Sequence, residues 1–186
     1  MLAIMGKAWY HNFFSHPQPS RRDAAATSAD AGDAEAQFGM GLKFANGKGV
    51  AQDFSQAADW YRKAAEQSYA LAQFNLGVMY SSGQGVPHDE SLAAVWFGKA
   101  AQLGDAGAQF KFGQSCHRAS FAASAKDAPE ARIEAYKWYR LAAAQGYVGS
   151  DAAGAALILS MTREDVAVGE QRAAAFAAAC PRVGAT

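Results

Sequence analysis

The sequence predicts an all-α fold, an array of helix pairs with about 36 residues in each repeat. Three observations carry this. The stretch AEAQFGMG beginning at Ala34 returns as ALAQFNLG at Ala70 and as AGAQFKFG at Ala106, each 36 residues after the last. Alanine, the best helix former, is abundant, while the strand formers Val and Ile are sparse. Asp53 and Asp89 stand at equivalent places just ahead of apolar-periodic runs, where a carboxylate accepts hydrogen bonds from first-turn amides.

The elements follow in order. Residues 1–19 read as an N-terminal amphipathic helix and linker. Leu2, Met5, Trp9 and Phe13 recur at helical spacing, and Lys7, His11 and Asn12 interrupt the apolar run. No small-residue cleavage site follows it. The expected role is to cover the exposed end of the domain; the alternative is weak contact of residues 2–14 with a membrane surface or a partner. Residues 20–33 form a degenerate N-terminal helix. Ser20-Arg21-Arg22-Asp23 is a capping box, and Gly32, which aligns with Ser68, Gly104 and Gly146, ends the helix, as in the second helix of a lost repeat.

Residues 34–147 hold three repeats, each with a helix A and a helix B. Helix A is expected over Ala34–Ala45, Ala70–Ser81 and Ala106–Phe121, and helix B over Asp53–Gln67, Asp89–Leu103 and Ala128–Gln145. Asp127 with Pro129 is expected to open the third B helix. Gly41, Gly77 and Gly113 recur inside helix A, where each costs about 1 kcal/mol against Ala; that repeated cost implies close approach of another helix. Trp60, Trp96 and Trp138 recur in helix B beside alanine pairs and are expected in the core, each burying roughly 200 Å².

Between the helices lies NGKGV in the first copy and SSGQGV, Ser81 to Val86, in the second. The paired glycines suggest a phosphate loop, but Pro87-His88 follows where a Lys-Ser/Thr pair belongs, and the loop recurs with the repeat. Gly83 is expected to end helix A in a left-handed conformation, Gly85 to turn the chain, and Val86 to fill the gap. The third copy replaces this turn with Arg118 to Asp127, an insertion of six residues as judged from the Trp spacing. Residues 148–180 are expected to form a C-terminal capping helix pair. A capping box, Thr162-Arg163-Glu164-Asp165, opens its last helix, Pro181 stops it, and residues 181–186 form a tail.

AQFNLGVMYSSGQGV, Asp89, AAVW and KAAQLG together closely resemble the Sel-like repeat (SLR) family, relatives of the tetratricopeptide repeats. The likeness spans Ala34 to Tyr147. It implies an α-solenoid, a right-handed superhelix of antiparallel helix pairs, that serves as an adaptor or scaffold in protein–protein interaction, and by analogy among small bacterial members an alternative role as an immunity protein neutralising a secreted toxin. The third copy lacks G-x-G-V, and the regularly spaced disulfide cysteines of some members are missing.

Chemistry-bearing residues point the same way. The 17 basic and 17 acidic residues balance, so no basic patch for nucleic acid is expected. Cys116 and Cys180 show no ligand spacing and read as free thiols of a reducing, cytoplasmic compartment. His11, His16, His88 and His117 form no metal pattern. Glu130 and Glu134 lie one turn apart, the best candidate pair for a small hydrolase, but Arg132 and Lys137 nearby make them a solvated charged face. No catalytic, cofactor or metal residue is expected, and no run is apolar and long enough to cross a membrane. The partner-binding surface is placed on the concave face of the A helices, at Glu35, Gly39 and Lys43, Leu71, Asn75 and Met79, and Gly107, Lys111 and Ser115, where the copies differ.

Overall fold

The structure is a computed structural model that describes residues 28–180. The amphipathic segment 2–14, the Ser20 capping box and the tail 181–186 lie outside the described residues. After a helical turn at 28–30, the chain runs through α1 (Ala34–Asn46), α2 (Phe54–Glu66), α3 (Ala70–Ser82), α4 (Glu90–Gln102), α5 (Ala106–Ala122), α6 (Ala128–Ala144), α7 (Ser150–Ile158) and α8 (Arg163–Ala179). From α1 to α7 each helix packs on the next, α8 packs back on α6, and the chain is an all-α solenoid.

Local chemistry sets the helix ends. Asp53 and Asp89 cap α2 and α4 by accepting from the amides of Gln56 and Leu92. Asp33 and Asp105 cap α1 and α5 in the same way, which the sequence analysis missed. α6 opens where expected, with Asp127 at its N-cap position and Pro129 in its first turn, but Asp127 makes no side-chain cap: its backbone is already helical and Ser124 Oγ donates to its carboxylate at 2.6 Å. Gly83 is left-handed at φ 70° and its amide donates to Met79 O, closing α3. Gly85, also at φ 70°, lies against Phe54 at the start of the preceding repeat's B helix, so that a Cβ there would fall on the Phe54 carbonyl. In the third repeat neither glycine exists, and α5 runs on to Ala122.

Within each repeat, helix B turns one stripe inward. In α2 this is Ala57, Ala58, Tyr61, Ala64 and Ala65, the i, i+4, i+7, i+8 spacing of one helical face. The ring of Tyr61 lies flat against Gly41, that of Phe97 against Gly77, and that of Tyr139 against Gly113; an added Cβ would meet the latter two rings at 2.7 and 2.9 Å. The glycines are thus slots for the aromatic that follows each Trp. This corrects the expectation for the tryptophans. Trp60 and Trp96 sit one residue, or 100°, off the inward stripe and are only half-buried. Lys63 lies 4.0 Å over the Trp60 ring and Lys99 4.1 Å over Trp96. Trp138 alone of the three is buried, between Phe112 and Phe176.

A polar ladder joins successive repeats. Gln37, Gln73 and Gln109 are buried, and each donates to a carbonyl near the end of the preceding B helix, Ala29, Ala65 and Ala101. Their amide oxygens accept from Gln67, to Gln37 at 2.8 Å, and from Gln145, to Gln109 at 2.9 Å. At the equivalent place in the second repeat stands Leu103, 48% exposed, and Gln73 Oε1 has no partner. A buried acceptor without a donor is costly. Leu103→Gln is therefore expected to stabilise the chain by about 1 kcal/mol, read as a higher urea midpoint. The gain should vanish in a Gln73→Leu background, where there is no carbonyl to satisfy.

The C-terminal end is closed by α8, opened by the Thr162–Asp165 capping box. Gly169 lets it approach Tyr136, Phe176 lies edge-on to Trp138 at 5.2 Å, and Arg172 bonds both Glu130 and Glu134.

Candidate interaction surface

The carboxylates Glu130 and Glu134 are both held in this clamp: one guanidinium grips the two, and Lys137 donates to Glu134 at 3.2 Å. The Arg172 hydrogen bond holds the Glu130 carboxyl below its ordinary value. Its folded value is depressed, so the stability it lends is present above about pH 4.5 and fades as pH falls through the folded value. Thermal midpoints measured from pH 6 downwards should fall for the wild type and fall less for Glu130→Gln, which carries no such titration.

Cys116 is half-buried beside His117, and burial, with the Glu134 charge, pushes its thiol up to about 11. A thiol held protonated at neutral pH is a poor nucleophile. His117 turns instead to Phe121, ring centroids 5.1 Å apart. A shallow cavity of about 140 Å³ lies between α6 and α7, lined by Tyr136, Arg140, Ser150, Asp151 and Ile158 among others. Two of its polar members are engaged in structure, the Tyr136 hydroxyl and Arg140 both reaching Glu170, at 2.7 and 2.9 Å, while the buried Ser150 hydroxyl has no hydrogen-bond partner. Among the described residues no group of three or more His, Cys, Asp or Glu side chains is placed to hold a metal ion, and no helix is long and apolar enough to cross a membrane.

The structure gives the residues of the expected A-helix surface different places. Glu35, Gly39 and Leu71 are exposed. Lys43, Asn75, Gly107, Lys111 and Ser115 are half-buried. Asn75 Nδ2 donates to Leu71 O, and Ser115 Oγ to Lys111 O. Met79 does not belong to this surface: it is 5% exposed and packs in the first core cluster with Leu76 and Ala72. The reason is angular. Eight residues after Leu71 a helix has turned 80° past its starting direction, whereas seven residues bring it back within about 20°. The outward stripe therefore runs through Glu35, Gly39, Leu42 and Asn46, and its equivalents in the later repeats are Leu71, Asn75, Val78 and Ser82, then Gly107, Lys111, Gln114 and Arg118. Leu42, missed in the sequence, is exposed. At the far end Arg118 bonds Glu90 at 2.7 Å, tying the stripe to the edge of the second repeat and holding the Glu90 carboxyl below its ordinary value.

Invariant packing with variable outward positions is the mark of a repeat array, and a family model for the Sel1 repeat matches residues 34–69, 70–105 and 124–147, more than half the chain. The chain belongs to the Sel1 repeat family. Sel1 repeat proteins generally serve as protein–protein interaction modules. The gap in the match, from 106 to 123, covers α5, whose lengthened end carries no G-x-G-V turn. Among solved structures the chain is similar to c5321, described as a protective antigen of uropathogenic Escherichia coli strains with an SLR fold, at TM-score 0.70 and 25% identity over 88% of this chain. It spans only 35% of that protein's length. A Sel1 repeat protein from Oxalobacter formigenes is 35% identical over 70% of this chain and 94% of its own, at TM-score 0.59. No curated protein compared with the chain matches it.

Proposed function

We propose that this Sel1 repeat chain is a non-catalytic adaptor that binds a partner protein along the outward stripe of α1, α3 and α5. The observation that carries the reading is the contrast between buried and outward positions. Gln37, Gln73 and Gln109 are identical, as are Gly41, Gly77 and Gly113, while the outward positions change from Glu35 to Leu71 to Gly107 and from Gly39 to Asn75 to Lys111. A scaffold that repeats where it packs and varies where it faces out presents a changing surface, with Glu35 as its charge in the first repeat, Leu71 and Val78 in the second, and Lys111 and Arg118 in the third. Such a surface selects one partner by complementary charge and shape.

The free thiols Cys116 and Cys180 suit a reducing, cytoplasmic setting for this encounter. The experiment is affinity capture of the tagged full chain from its native cell, with quantitative mass spectrometry, in parallel with Leu71→Glu. A protein recovered in stoichiometric amount with the wild type and lost with the variant supports the adaptor reading. If that protein is a secreted toxin whose activity the chain blocks, the adaptor is an immunity protein. No protein lost on substitution, together with a hydrolytic turnover by the purified chain, overturns it.

A further inference from the structure

A second surface stands apart from the A-helix stripe. On the outer face of α4, Leu92 is 42% and Val95 51% exposed, with Trp96 half-buried beside them. The equivalent residues are Gln56 and Asp59 in the first repeat and Glu134 and Lys137 in the third. Among the described residues, only this B helix turns an apolar outer stripe to solvent at these positions. The third repeat shows what such a place receives. There α8 lies across the same positions of α6: Arg172 grips Glu134, the counterpart of Leu92, at 2.9 Å, and Phe176 lies on Trp138, the counterpart of Trp96, at 5.2 Å. A helix of the chain itself thus covers that register of a B helix, with polar chemistry where the B helix is polar.

We propose that residues 2–13 of this same chain occupy the α4 stripe, laying Leu2, Met5, Trp9 and Phe13 on Leu92, Val95 and Trp96. The occupant matches in chemistry, since its apolar residues recur at the i, i+3, i+7 and i+11 spacing of a single helical stripe, of the kind that docks in apolar grooves. It also has the reach. The stretch between Phe13 and Ser28 spans up to about 50 Å when extended. The helical turn at 28–30 is separated from α4 by α1, α2 and α3, at most about 40 Å at the usual 8–10 Å between packed helices.

The test uses the full chain with a photo-reactive benzoylphenylalanine in place of Leu92, and in place of Gln56 as a control on the equivalent polar position. Isotopically labelled and unlabelled chains are mixed so that mass spectrometry separates links within a chain from links between chains. The expected result is intramolecular links from position 92 to residues 2–13, at least tenfold above the Gln56 control, and lost in a Trp9→Ala/Phe13→Ala variant. Links between labelled and unlabelled chains overturn the proposal in favour of a second copy on the stripe. Links no more frequent than at position 56 overturn it outright. So does binding of phosphatidylglycerol vesicles through residues 2–13 by a chain that shows no link to α4.

Discussion

Phe97→Ala is expected to lower the unfolding free energy by about 3–5 kcal/mol, and Trp96→Ala, one residue earlier, by only about 1–2 kcal/mol. The larger side chain carries the smaller effect because of where each points. Phe97 is 3% exposed, with its ring against the Gly77 backbone and 5.8 Å from the ring of Phe74. Truncation leaves a cavity between two backbones that cannot collapse without moving a helix. Trp96 loses a half-exposed packing contact and the Lys99 ammonium over its ring. Urea unfolding of both variants checks this. Equal losses, or a larger loss at Trp96, would show that the tryptophans and not their neighbours hold the repeat together.

Gly85→Ala is the second large effect. At φ 70° a Cβ costs about 1–2 kcal/mol by itself. Here it also falls on the Phe54 carbonyl, which is backbone and has no rotamer to yield. Displacing that contact adds about 1–3 kcal/mol, and the strain falls on the seam between the first and second repeats. Gly83→Ala is the matched control: it shares the φ of 70°, but its Cβ would meet only His88 Cβ at 3.2 Å, and about 1–2 kcal/mol is expected. Thermal midpoints of the two variants should separate by several degrees, with Gly85→Ala the lower; coinciding midpoints would remove the seam from the account.

The repeat, its helix pairs and its turn glycines are legible in the sequence because one pattern is written several times. A feature that appears three times can be aligned with itself, and Gly41, Gly77 and Gly113 announce a close approach before any partner is known. The identity of that partner was not legible in the same way. Tyr61, Phe97 and Tyr139 vary in type, while the Trp before them does not, so the constant residue drew attention from the one that fills the slot. The error at Met79 is of another kind. Counting eight residues along a helix instead of seven rotates a side chain from solvent into the core. The glutamine ladder that leaves the Gln73 oxygen unpaired, and the Arg172 clamp, were out of reach, since each joins residues 30 or more apart through side-chain geometry that spacing does not encode.

The central claim is that the variable outward stripe of the A helices binds the partner. Its most direct test is the affinity of the captured partner, purified, for the wild type, for Leu71→Glu, for Lys111→Glu, and for Gln56→Lys on the outer face of α2, with circular dichroism melts showing each variant folded. The account predicts that each A-helix variant weakens binding at least tenfold, about 1.4 kcal/mol, and that Gln56→Lys binds within twofold of wild type. Wild-type affinity in both A-helix variants, with the loss at Gln56→Lys instead, would contradict it.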